Sequence, residues 1–155
     1  MATRISTYKA ATESLKTIAL SHMAVKQCQV GQLSDLDIEN NSNAFQRFPV
    51  VHFIPRTSNI DRSGAVTLGF SMVVADIAEN EEDLQRNTHN NTFMIIQDIL
   101  SKYILTTWDT VDMNMETPVN VTPFVESFNN NLAGWTAEIN VVINSPLDLC
   151  NAAFE

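Results

Sequence analysis

The chain is poor in the residues from which many small active sites are built. Only four of its 155 residues are glycine, and Gly31, Gly64, Gly69 and Gly134 stand singly, so no glycine-rich loop is present to cradle a phosphate. Its two cysteines, Cys28 and Cys150, lie 122 positions apart. That is too few for a disulfide framework and the wrong spacing for a paired-cysteine zinc site. No apolar run approaches the roughly 18–20 residues of a membrane helix. The opening "MATRISTYKAATES" has no apolar stretch of the signal-peptide kind. The expectation is a protein made in a cytoplasm, with reduced thiols and no membrane partner; Cys150, after "PLDL", reads as a small buried apolar residue.

Basic residues are also scarce. Nine Lys/Arg stand against eighteen Asp/Glu, a net charge of −9. The deficit is uneven: residues 1–62 hold seven basic and five acidic residues, whereas residues 63–155 hold two and thirteen. Tight, specific nucleic-acid binding needs clustered Lys/Arg, often interleaved with aromatics, and this chain has no such cluster. The charge is compatible with docking to a basic partner, or with a surface that repels DNA.

What the sequence does contain is a core. Its hydrophobic fraction is 45 %, which speaks against disorder, and its length suits one domain, 1–155. From Ser6 to about Val25, Tyr8, Ala11, Leu15, Ile18 and His22/Met23 recur at steps of three and four, the helical period. "KQCQVGQ" reads as a short strand. "FPVVHFIP" reads as a strand limited by its prolines, and "TSNIDRSG" as a turn. "AVTLGFSMVVADIA" alternates, with Val66, Leu68, Phe70, Met72 and Val74 on one face and Thr67, Gly69, Ser71 and Ala75 on the other. A second helix follows, with Asn80 as cap, Glu81, Glu82 and Asp83 at its start, and a wide stripe through Phe93, Ile96, Leu100 and Tyr103. "GWTAEINVVI" alternates again, with Trp135, Ala137, Ile139, Val141 and Ile143 on one face. The order α-β-β-β-α-(β)-β predicts an α+β fold: a largely antiparallel sheet with two main helices packed on one face. Leu15, Ile18, Phe70, Met72, Ile96, Leu100, Trp135, Ile139 and Val141 are the expected core.

Catalytic signals are weak. His22, His52 and His89 fall on a helix face, in a strand and in a helix, with no nucleophile elbow near them. No His pair has i, i+4 spacing. Asp76, Glu79, Glu81, Glu82 and Asp83 suit a solvated helix start better than a cation site. No catalytic residue, cofactor or metal is assigned. The least patterned segments are 31–48, 56–64 and 106–132, and loops of such length are usually functional or disordered. Their apolar residues, Phe45, Phe48, Ile60, Trp108, Phe124 and Phe128 among them, are the interface candidates. The loops around 31–48 and 106–132 are the expected contact regions.

The order of "RFPVVHF", "FSMVVADIAENEEDL" and "LAGWTAEINVVI", after an N-terminal helix and a polar loop, resembles the tail terminator and head–tail connector proteins of tailed bacteriophages. The closest flavour is that of neck or ring proteins of phages of Bacteroidetes hosts, including the crAss-like group. The resemblance spans nearly the whole chain. It implies a structural virion protein that forms a homo-oligomeric ring of six or twelve subunits in the neck or tail. Such a ring meets portal-side connector and tail proteins and lets DNA pass without binding it specifically. Two other classes stay open: a small-ligand-binding or enzymatic α+β domain with a pocket between helix and sheet, and a transient assembly adaptor.

Overall fold

The computed structural model describes residues 7–31, 48–62, 64–78, 82–107, 113–126 and 132–143. In chain order the elements are α1 (Thr7–Ser21), β1 (Gln27–Val30), β2 (Val50–Ile60), β3 (Val66–Ile77), α2 (Glu82–Thr107), β4 (Met113–Met115), β5 (Asn120–Glu126) and β6 (Leu132–Ile143). The strands form one sheet in the order β1-β2-β3-β6-β4. β5 pairs with the first part of β6, and β4 with its end. Every pairing is antiparallel except β1 with β2. The fold is α+β with a mostly antiparallel sheet, the class that the element order predicts.

The two long alternating segments lie side by side. β3 and β6 pair from Val66↔Ile143 to Ile77↔Leu132, without interruption. This register sets Leu68, Phe70, Met72 and Val74 beside Val141, Ile139, Ala137 and Trp135 on one face of the sheet. Val51 and Phe53 of β2 extend that face through their pairing with Val74 and Met72. The main buried cluster holds these residues together with Ala11, Leu15 and Ala19 of α1 and Ile95, Ile96, Ile99 and Tyr103 of α2. Of the expected core, Leu15, Phe70, Met72, Ile96, Ile139 and Val141 are fully buried, while Ile18, Leu100 and Trp135 pack against the cluster half-buried.

Gly134 allows the two central strands to approach. A Cβ at that position would sit 1.9 Å from the Val74 carbonyl oxygen. The glycine before the tryptophan is therefore a packing requirement rather than a turn.

One segment differs from its sequence reading. β2 does not stop at Pro55 but runs on to Ile60, and the turn that follows is closed by a 3.0 Å bond from the Gly64 amide to the Asp61 carbonyl. Within 106–132, the bracketed strand of the element order is β5, over the "VNVTPF" stretch, and the short β4 precedes it. Pro55 and Pro123 both lie inside strands, and the sheet edges explain why.

Candidate interaction surfaces

Backbone polar groups of successive strand residues point to opposite neighbours. The Gly31 amide donates to the Phe53 carbonyl at 2.9 Å, so Phe53 faces β1, on the outer side of β2. Two residues on, Pro55 faces the same way, just past the end of β1. On the opposite side of the sheet, the Glu116 amide donates to the Asn140 carbonyl at 2.9 Å, so the even-numbered residues of β6 face β4 and β5. The Glu138, Thr136 and Gly134 pairs with Asn120, Thr122 and Phe124 are then the hydrogen-bonded ones, and Val121, Pro123 and Val125 face outward. Pro55 and Pro123 therefore sit where the N–H they lack would have pointed away from the sheet. Proline costs no ladder bond there, and it removes a donor from an edge that another strand might otherwise join.

The interface candidates separate under this geometry. Ile60, the last residue of β2, is 74 % exposed. Phe48 is not an exposed anchor: it is buried with Val50, Ala75 and Leu132 in a small cluster of its own, because it enters β2 on the face opposite the main core. Phe124 is half-buried against the same cluster. Phe45, Trp108 and Phe128 lie outside the described residues, as do most of segment 31–48, Asn80 and Cys150.

Other exposed apolar side chains lie where the sequence reading placed none. Met23 was read as part of the buried stripe of α1, yet it is 96 % exposed, because the helix ends at Ser21 and the chain turns before the period reaches it. Leu20 is 46 % exposed on α1, and Leu105 in the last turns of α2 is 70 % exposed. Leu20 lies off the Tyr8–Ala11–Leu15–Ile18 stripe, which was the available signal. These residues flank the junction between the helices. There the Lys102 Nζ donates to Ser21 Oγ at 2.7 Å, and His22 Nε2 lies 2.9 Å from Asp98 Oδ2.

The histidines have structural partners. His22 Nδ1 accepts the Ala24 amide at 3.1 Å, which leaves Nε2 as the protonated nitrogen facing Asp98. His52 is fully buried. Its Nε2 donates to the Gly31 carbonyl at 2.9 Å, and its Nδ1 has no partner among the described residues. His89 Nε2 donates to the Phe124 carbonyl at 3.0 Å, while the His89 carbonyl accepts Trp135 Nε1–H at 2.8 Å. Phe93 meets the Trp135 ring edge-on, with centroids 5.1 Å apart. This group ties α2 to β5 and β6.

Across the opposite face of the sheet, Arg56 reaches over Gly69. Its Nε bonds Glu138 Oε2 at 2.8 Å, and its Nη2 donates to the Phe70 and Ile139 carbonyls at 3.2 and 3.3 Å. Ser71 Oγ donates to the other Glu138 oxygen at 3.1 Å. Burial pushes the Cys28 thiol up to about 12 and raises the Asp76 carboxyl above its ordinary value. A shallow depression of about 490 Å³ lies over Asn114, Met115, Glu116, Thr117 and Val142. Among the described residues no group of three or more His, Cys, Asp or Glu is placed to hold a metal ion, and no helix is long and apolar enough to cross a membrane. No protein-family model and no curated protein sequence matches the chain.

Proposed function

We propose that the chain is a structural virion protein that forms a homo-oligomeric ring in the neck or tail of a bacteriophage, as a tail terminator or head–tail connector. The ring joins the portal side to the tail and lets DNA pass. The observation that carries this reading is the exposure of large apolar residues on a domain whose own core is complete. Met23, Ile60 and Leu105 are each more than two-thirds exposed, while the central strands and both helices already bury their stripes against one another. Isolated exposed apolar residues are ordinary, but three this open, in the turn after α1, at the end of β2 and near the end of α2, suit a subunit that neighbours cover. The reading also draws on the order of the motifs, from which the resemblance to ring proteins is taken. The acidic balance fits a passage that does not grip DNA.

The test is the size of the purified full chain together with its presence in particles. Sedimentation should give a discrete species of six or twelve subunits, with a ring in negative-stain micrographs, and mature virions should contain the chain in a fixed ratio to the portal. A chain that is monomeric at all concentrations and missing from virions would remove the proposal.

A further inference from the structure

Trp135 stands at the centre of an apolar patch that the fold leaves open. Phe93 of α2 meets its ring edge-on at 5.1 Å, and His89 does so at 5.8 Å. Pro123 is its register partner on β5, and Val125 follows two residues on, on the same face of the sheet. Phe93 is 40 % exposed, Val125 is 50 % exposed, and Pro123 is open beside them. The patch is held in place from beneath, because Trp135 Nε1–H and His89 Nε2–H both donate to backbone carbonyls. Asp76 lies at its rim: it pairs with Ala133 from β3, as Val125 does from β5. The half-buried Asp76 carboxylate accepts the Ile77 amide at 2.8 Å, and among the described residues no basic side chain lies within ion-pair distance of it.

The turn after α1 has the opposite make-up. Met23 is the tip, 96 % exposed, and Leu20 and Leu105 are open at the same junction. Lys16 and Lys26 are exposed, and among the described residues neither has a carboxylate within ion-pair distance. Ser21 and His22 tie this junction to Lys102 and Asp98 of α2. Leu105 is twelve residues beyond Phe93, about 18 Å along α2 and about a third of a turn round it. One copy therefore cannot lay its own turn on its own patch.

We propose that the patch around Trp135 is the docking site for a second copy of this chain, which lays its Met23 turn there. The Met23 thioether meets the Phe93 and Trp135 rings, a contact that sulfur and aromatic edges favour. Leu20 and Leu105 cover Pro123 and Val125, and Lys16 and Lys26 bring a cation to Asp76. Pro123 withholds the outward donor at this edge, so the neighbour meets side chains rather than adding a strand. A contact between two different surfaces of one chain is heterologous, and repeated with rotation it closes into a ring. This inference rests on the ring reading and names the surfaces that close it.

Two variants of the full chain test it, each shown folded by circular dichroism. Met23→Glu places a charge at the tip of the turn, and Phe93→Glu places one on the patch; Val125→Glu takes the second role if Phe93→Glu does not fold. Each variant alone should lose the ring-sized species in sedimentation velocity. Mixed in equal amounts, they should form a one-to-one dimer and nothing larger, because the intact turn of one copy meets the intact patch of the other and both remaining ends are blocked. If either folded variant assembles as the wild type does, or if the mixture stays monomeric or rebuilds the ring, the docking surfaces are wrong and the ring reading stands. If the wild type itself never assembles, both fall. Should Phe93→Glu assemble normally yet be missing from virions, the patch receives a different virion protein and the proposal is overturned.

Discussion

Gly134→Ala isolates one steric contact in the centre of the sheet. The backbone of Gly134 is not left-handed, so alanine can adopt its φ without strain. Were there room, the substitution would stabilise the protein by about 0.4–1 kcal/mol, because alanine has less freedom to lose from the unfolded chain. There is no room. The added Cβ falls 1.9 Å from the Val74 carbonyl oxygen, 2.9 Å from its carbon and 3.0 Å from Ala75 Cα. All three atoms are backbone, so no rotamer change relieves the contact. β6 must withdraw from β3 by about 1.5 Å to reach van der Waals distance, near one end of a pairing that runs unbroken from Val66↔Ile143 to Ile77↔Leu132. Overpacking in a core costs about 1–3 kcal/mol and sometimes more. A loss of about 3 kcal/mol is expected here, since the strain falls on paired strands. At about 1–3 kcal/mol/M for urea, the unfolding midpoint should drop by roughly 1–3 M. Urea titration followed by circular dichroism, at one protein concentration for both proteins, measures it. Gly69→Ala is the internal control. There the closest atom is the Thr57 carbonyl oxygen at 2.7 Å, in the irregular stretch of β2 between Arg56 and Asn59, which has freedom to shift. Its loss should be smaller, about 1 kcal/mol. A Gly134→Ala protein as stable as the wild type, or more so, would refute the strand spacing on which the argument depends.

Ile139→Ala, at a fully buried site in the main cluster, should cost about 2–5 kcal/mol in the same titration. Trp135→Phe removes the indole N–H bond to the His89 carbonyl and should cost about 1 kcal/mol, with increased amide exchange at the start of α2. Asp76 has a folded-state pKa raised by burial, so its contribution to stability is fully present below its unfolded pKa and is lost as pH rises through the folded value. Asp76→Asn keeps an oxygen to accept the Ile77 amide, and it should raise the urea midpoint at pH 7 but leave it unchanged near pH 3. Cys28, whose thiol burial holds near 12, should resist iodoacetamide at pH 8 until the protein is unfolded, as read by mass spectrometry of its peptide.

Those elements with a clean period were legible in the sequence. The faces of β3 and β6 follow from simple alternation, and the structure pairs the two faces as that alternation requires. The stripe of α1 was readable through Ile18, and it misled only at Met23, where the helix had already ended. β1 was visible as a short strand, but its parallel pairing with β2 was not, since pairing direction depends on where the intervening chain returns. Phe48 was misassigned because exposure and burial look alike in an aromatic beside a proline. What decides between them is the neighbours on the sheet face, Val50, Ala75 and Leu132, the last of which lies more than eighty residues away in the sequence.

The prolines show most directly how a local signal depends on its place in the sheet. Pro55 reads as an end to a strand, since proline breaks a ladder in a sheet interior. Pro55, like Pro123, instead sits inside a strand, at a position where the missing N–H would have faced outward. A proline at such a position preserves the strand and still blunts the edge, so the sheet can be long without inviting edge-to-edge growth. That choice bears on assembly. A ring subunit must bind its neighbours in a set number, and an open strand edge limits number poorly, because the same pairing can repeat without closing. Contacts between dissimilar side-chain surfaces fix an angle as well as an affinity. With donors withheld at Pro55 and Pro123 and apolar residues exposed at the α1–α2 junction, side-chain surfaces rather than strand edges would set that angle in the ring proposed above.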